Sequence, residues 1–221
     1  VFSILRDRHL NLKYNTASIL EVESGSNDPF AYMLTMIAVT MISGSITVGS
    51  VFYMLFLQLF VGALSGVLIA FIFKYLINRF IINTPGFNMV LVIAVALLSY
   101  SLPTVVGGNG YLSVYITGII LGNSDIRGKK ELVPFFDGIT GIMQILIFFL
   151  LGLLAYPSRL LFVAGTGFAL ACFITFIVRP VAISLIMKPF KATWNQIFLV
   201  SWAGFRGASS IVFAITALLN T

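Results

Sequence analysis

Glu23-Ser24-Gly25-Ser26-Asn27-Asp28-Pro29 is the stretch on which the reading of this sequence turns. It sets two carboxylates and a carboxamide close together, and a nearly unbroken apolar run, Phe30 to Ile42, follows at once. Polar groups are costly in hydrocarbon, so acids kept beside such a run point to an ion pathway. On a helix, successive residues are about 100° apart, which puts Glu23 and Asn27 about 40° apart on one stripe. Ser24 and Asp28 fall about 40° apart on the neighbouring stripe. One helix thus offers Glu23 and Asn27 to one neighbour, and Ser24 and Asp28 to another. Pro29 has no amide hydrogen, so the carbonyl of Gly25 loses its helical partner and becomes a candidate cation ligand. The plainer reading is that these groups only pair with other helices and hold them together.

The rest of the composition agrees with a membrane setting. Of the 221 residues, 59% are hydrophobic and 9% charged, where a soluble domain carries about 25% charge. That excludes a chain wetted on all sides and makes an all-α polytopic membrane protein the expected class. The net charge is +6. The bases lie in short clusters between apolar runs, without interleaved aromatics, which fits membrane topology and argues against nucleic acid. A single cysteine, Cys172, rules out an internal disulfide. No His/Cys cluster offers a transition-metal site, and the scattered hydroxyls have no nearby base to activate them. Neither an enzyme nor a cofactor is expected. Gly107-Gly108-Asn109-Gly110 lacks the Lys-Ser/Thr ending of a phosphate loop and reads as a turn. The sequence opens on Val1 without Met and stops at Thr221 after an apolar run. Residues 1–221 are therefore expected to be a single transmembrane domain truncated at both ends.

Working outward from the polar stretch, apolar runs give about seven spans. The first full helix starts at Asn15 or Thr16, which can cap it, and runs to Ile42. Further spans are expected over 51–73, 89–102 (ending at Pro103), 111–121, 138–156, 160–187 and 194–219, with polar connectors at 74–88 and 123–137. Connector charge alternates. Arg6, Arg8, Lys13, Lys74, Arg79, Arg127, Lys129, Lys130, Lys188 and Lys191 lie on one side, and Arg159 alone on the other. The loops Arg6–Lys13, Lys74–Arg79, Arg127–Lys130 and Lys188–Lys191 are thereby expected on the cytoplasmic side of a cell membrane.

Two arginines fall inside spans. Arg179, followed by Pro180, is deep in the sixth. A buried cation needs a carboxylate, and Glu23 is the best candidate. Arg206 belongs to Ala203-Gly204-Phe205-Arg206-Gly207-Ala208-Ser209-Ser210. Gly204, Gly207 and their small neighbours in mid-span predict a broken or closely crossed helix, of the kind transporters place at their substrate site. Small-residue packing alone would explain the glycines but not the arginine.

These motifs, with Val1-Phe2-Ser3-Ile4-Leu5-Arg6 before them, resemble the monovalent cation/proton antiporters, and most closely the NhaP-type potassium/proton branch. The likeness covers essentially the whole chain. It implies an inverted-repeat antiporter core, half of it present here with neighbouring helices, and a broken crossing helix near the C-terminus. It implies that Asp28 binds cation and proton in turn, that Asn27 assists it, and that Ser24 is an ion ligand. Glu23 and Arg179 would form an ion pair within the core, and Arg206 would lie in the crossing helix and influence the pH response. The family also has a Thr-Asp pair just before the position of Val1, so part of the ion site is expected outside these residues. Full-length members are usually homodimers.

The chemistry of exchange needs one carboxylate. Burial favours the neutral form of an acid, so a proton and a cation compete for the same charge. If the protein moves only when that charge is neutralised, exchange of a monovalent cation for protons follows by alternating access; the resemblance favours K+, with Na+ the other candidate. A channel would arrange carbonyls or charges in a ring around an axis, whereas these acids cluster on one helix. An intramembrane lipid-modifying enzyme would need acids near a headgroup-level cavity, often with a divalent metal, and ranks last.

Overall fold

In a computed structural model of the chain, the described residues are 15–42, 44, 47–79, 86–154, 157–204, 207 and 209–220. Arg6, Arg8, Lys13 and Arg206 fall outside them. Regular structure among them is helical throughout: α1 (Thr16–Ile42), α2 (Val48–Arg79), α3 (Phe87–Val105), α4 (Gly110–Asn123), α5 (Lys129–Leu154), α6 (Pro157–Phe173), α7 (Arg179–Met187), α8 (Trp194–Ala203) and α9 (Ser209–Asn220). A π-helical turn, Ile174–Val178, joins α6 to α7, and a 3-10 turn, Lys188–Phe190, follows α7.

Four stretches of the described chain are long and apolar enough to cross a membrane: Gly49–Arg79, Phe87–Val105, Lys129–Leu154 and Phe162–Phe190. The protein is an all-α polytopic membrane protein. α1 has the length, 27 residues, but its polar stretch interrupts the apolar run. α4 has 14 residues, and α8 and α9 have 10 and 12. Each is shorter than the roughly 20 residues that a bilayer demands of one helix. The last expected span is interrupted where the small residues lie, because α8 ends at Ala203 and α9 begins at Ser209. Gly204 and Gly207 are both outside helix.

Several boundaries differ from those read in the sequence, and three of them have a clear physical reason. α2 continues to Arg79, so Lys74–Arg79 is helix and not connector. α5 begins at Lys129, so the second half of the expected 123–137 loop is its first turns. α3 passes through Pro103 to Val105. Apolar runs mark the hydrocarbon layer, while a helix makes its own backbone hydrogen bonds and continues into water through good formers such as Lys and Glu. Pro103 costs α3 one bond but does not stop it. The stop is a Schellman turn, in which Gly108 N–H bonds the Pro103 carbonyl at 2.8 Å and Gly107 N–H the Thr104 carbonyl at 3.1 Å. That turn needs the left-handed φ of +83° at Gly107.

Two compact units make up the chain, and α1 and α5 contribute to both. The first comprises Val1–Ser24 and Ile147–Gly207. Its core joins Leu20 to Met187, Ile197 and Val200, with Ile183 and Ala203 packed on it. The second comprises Gly25–Leu146 and Ala208–Thr221. Its core is Ala70, Phe73, Ile77, Val95 and Leu121, from α2, α3 and α4. α2 and α4 approach closely because Gly62 and Gly66 present no side chain. A Cβ on Gly62 would come within 2.8 Å of the Asn109 carbonyl oxygen, and one on Gly66 within 2.6 Å of the Ser113 carbonyl oxygen. Thr117 Oγ1 donates to the Gly66 carbonyl at 3.0 Å across the same seam. This is small-residue membrane packing, in which van der Waals contact and hydrogen bonds replace the hydrophobic effect. Exposed Ile145, Phe149 and Leu153 on α5 are apolar surface suited to lipid.

Candidate ion site

Asp28 lies one residue before the proline of α1 and is half-buried. Ser209, the first residue of α9, donates from Oγ to Asp28 Oδ1 at 2.8 Å. One turn further along each helix, Tyr32 faces Phe213 with ring centroids 5.8 Å apart. Tyr111, near the start of α4, completes the group at 4.9 Å from Tyr32 and edge-on to Phe213 at 5.6 Å. Tyr100 of α3 stands edge-on to Tyr111 at 5.3 Å. Aromatic pairs in tilted and T-shaped arrangements add to what burial alone supplies. The carboxylate is thus bonded to α9 at one level, and α1 and α9 are packed by rings at the next.

The backbone around Asp28 is held from α4. Asn109 Nδ2 donates to the Pro29 carbonyl at 2.8 Å, and Asn109 Oδ1 accepts from Leu112 N–H at 3.1 Å as the N-cap of α4. Gly25, whose carbonyl Pro29 deprives of a helical partner, lies against Tyr115. A Cβ there would be 2.5 Å from the ring.

Glu23 and Arg179 meet in the first unit. Arg179 Nη2 donates to Glu23 Oε1 at 2.9 Å, with the two side chains 19% and 28% exposed. Arg179 Nε donates to the Ser201 carbonyl, also at 2.9 Å. Local sequence explains how Arg179 is presented. Pro180 cannot donate to the Phe176 carbonyl and crowds it, and the chain answers with a π turn in which Arg179 N–H bonds the Ile174 carbonyl five residues back. Gly204 makes room for the guanidinium, onto which a Cβ at that position would fall. The φ of −82° at Gly204 is open to any residue, so the demand for glycine there is one of space.

Ser24 and Asn27 are exposed. Gly207 is described without a helix, and Arg206 lies outside the described residues. Asn109 and Ser209 were not singled out in the sequence. The Gly-Gly-Asn-Gly run gave a turn signal that hid the capping asparagine, and nothing local ties either residue to Asp28. The glycines of Gly62-Ala63-Leu64-Ser65-Gly66 carried a legible small-xxx-small spacing. Chemically, the second unit offers a carboxylate, hydroxyls and a freed carbonyl, which are oxygen ligands for a hard cation.

Residues 1–220 match the profile of the sodium/hydrogen exchanger transmembrane family. The chain belongs to that family. Among this chain's relatives, the K(+)/H(+) antiporter NhaP2 of Shewanella oneidensis is 35% identical over 223 residues, covering 99% of this chain and 38% of the relative. The K(+)/H(+) antiporter NhaP of Alkalimonas amylolytica is 33% identical over 216 residues, covering 97% of this chain and 38% of the relative. The Na(+)/H(+) antiporter NhaS2 of Synechocystis is 26% identical over 151 residues, 66% of this chain and 28% of the relative. The chain therefore spans well under half the length of these antiporters. No solved structure matches it significantly.

Proposed function

We propose that this chain is part of a secondary transporter that exchanges a monovalent cation, K+ ahead of Na+, for protons by alternating access at Asp28. The observation that carries the proposal is the Asp28 carboxylate itself, half-buried on a membrane-protein helix and hydrogen-bonded to Ser209 at the start of α9. An acid in such a place is a functional group by default. A proton or a cation neutralises the same charge, so each half-cycle carries one or the other. Asn27 and Ser24, both exposed and just before Asp28 on α1, supply oxygen ligands. Glu23 and Arg179 act as a structural ion pair. Arg206, between Gly204 and Gly207, tunes the pH response. K+ is placed ahead of Na+ because the relatives similar over nearly the whole chain are named K(+)/H(+) antiporters. The basic segments Lys74–Arg79, Arg127–Lys130 and Lys188–Lys191, with Arg6–Lys13, face the cytoplasm of the cell membrane, and the full-length protein works as a homodimer.

The test is proton movement in vesicles containing the full-length protein. Asp28→Asn abolishes K+- and Na+-driven proton flux, while Asp125→Asn, on an exposed connector, leaves it in place. Exchange by the Asp28→Asn protein at the wild-type rate would overturn the proposal. A channel is separated by imposing a cation gradient, since only an exchanger drives protons against their own.

A further inference from the structure

We infer that Asn109 is a positioning residue for Asp28, its carboxamide holding the Pro29 carbonyl and so fixing the turn of α1 that presents the carboxylate to its cation. The inference rests on the exchange role given to Asp28 above.

The turn from Gly25 to Pro29 is the one place in α1 where the backbone ladder is open, because Pro29 has no hydrogen for the Gly25 carbonyl. Helices bend and shift at such points. α4 supports both ends of the open turn. The Tyr115 ring lies against Gly25, where a Cβ would come within 2.5 Å of it, and Asn109 bonds Pro29. Asp28 lies between these supports.

The chemistry of Asn109 fits this task better than that of any other capping residue. Ser, Thr and Asp can all accept the hydrogen bond of an N-cap. Asn adds a donor on the same rigid group, and the network fixes which way the amide faces, oxygen to Leu112 N–H and nitrogen to the Pro29 carbonyl. The residue is 1% exposed. Its backbone is fixed as well, since its N–H bonds the Gln58 carbonyl at 3.2 Å and its carbonyl accepts from Ser113 N–H at 3.1 Å. Gly62 on α2 leaves the space for that carbonyl. α1, α2 and α4 therefore converge on one residue, α1 and α4 on its carboxamide and α2 on its backbone.

The experiment measures exchange rate against K+ concentration, and thermal melting, in the reconstituted full-length protein. Asn109→Ser keeps a capping oxygen but leaves one short hydroxyl in place of the separate amide donor that reaches Pro29. Asn109→Asp keeps the shape and the cap but turns an acceptor toward the Pro29 carbonyl. Both are expected to raise KM for K+ by about five- to ten-fold, the worth of one buried hydrogen bond, with kcat little changed, and Asn109→Asp by the larger factor. A lower melting temperature with an unchanged KM would overturn the inference and leave Asn109 a helix cap only. If Asn109→Ser does not fold, the isosteric Asn109→Asp decides on the same criterion. Wild-type exchange by Asp28→Asn would remove the underlying reading. Loss of exchange in Asp28→Asn together with unchanged KM in the Asn109 variants would overturn this inference alone.

Discussion

Ser209 Oγ and Asp28 Oδ1 are joined by a 2.8 Å hydrogen bond. A hydroxyl bonded to a carboxylate both orients it and remains available, through its own oxygen, to a cation. The bond also links the acid to the first residue after the interruption in the last expected span.

Ser209→Ala removes the donor and leaves the carboxylate free to turn. Hydrogen bonds to charged groups contribute about 1.5–3 kcal/mol. Part of that is recovered by water at a half-buried site, so KM for K+ should rise by about three- to ten-fold. Ser209→Thr, which retains the hydroxyl, should stay near wild type. Exchange kinetics in vesicles distinguish the two.

The polar stretch was legible in the sequence because acids beside an apolar run are costly and therefore rare. The interruption between Ala203 and Ser209 was legible for a related reason, since glycines and small residues in mid-span weaken a single continuous helix. Helix ends at the membrane surface were not legible. Hydropathy reports where hydrocarbon ends, while Lys74–Arg79 and Lys129–Asp137 continue the backbone ladder into water. The partners of Asp28 and Pro29 were hidden by distance along the chain. Ser209 is 181 residues from Asp28, and Asn109 is 80 from Pro29. A capping asparagine in a Gly-rich run gives no local sign of a second bond so far away.

Gly204→Ala tests the first unit. Its methyl group would occupy the space of the Arg179 guanidinium and force it away from Glu23 and the Ser201 carbonyl. Breaking a fully buried pair costs about 3–5 kcal/mol. These side chains are 19% and 28% exposed, which lowers the expectation to about 1–3 kcal/mol. Glu23→Gln should cost a similar amount. The double variant should be little worse than either alone, because both remove the same contact. Thermal unfolding in detergent measures all three, and simple additivity would show that Gly204 and Glu23 act through different contacts.

Arg179→Lys separates geometry from charge at the same pair. The guanidinium makes two bonds in different directions at once, Nε to Ser201 and Nη2 to Glu23. A lysine ammonium is a point charge on a flexible stem and lacks that fixed fork. Lysine can retain Glu23 only by giving up Ser201, so stability should fall by about 0.5–1.5 kcal/mol, the worth of one hydrogen bond. Wild-type melting by Arg179→Lys would show that charge alone is required.

The α2–α4 seam predicts opposite outcomes for the same change at two glycines. A Cβ on Gly66 would press on the Ser113 carbonyl, which is backbone and cannot swing aside. Gly66→Ala should therefore push the helices apart and lose the Thr117 bond to the Gly66 carbonyl, at a cost of about 1–3 kcal/mol. Gly118, in the middle of α4, has nothing within 4 Å of its would-be Cβ. There the change only reduces the backbone freedom lost on folding, and Gly118→Ala should be neutral or stabilising by up to about 1 kcal/mol. Melting temperatures moving in opposite directions would locate the packing seam. If both fell alike, the face of α4 that carries Gly118 would be packed in the full-length protein.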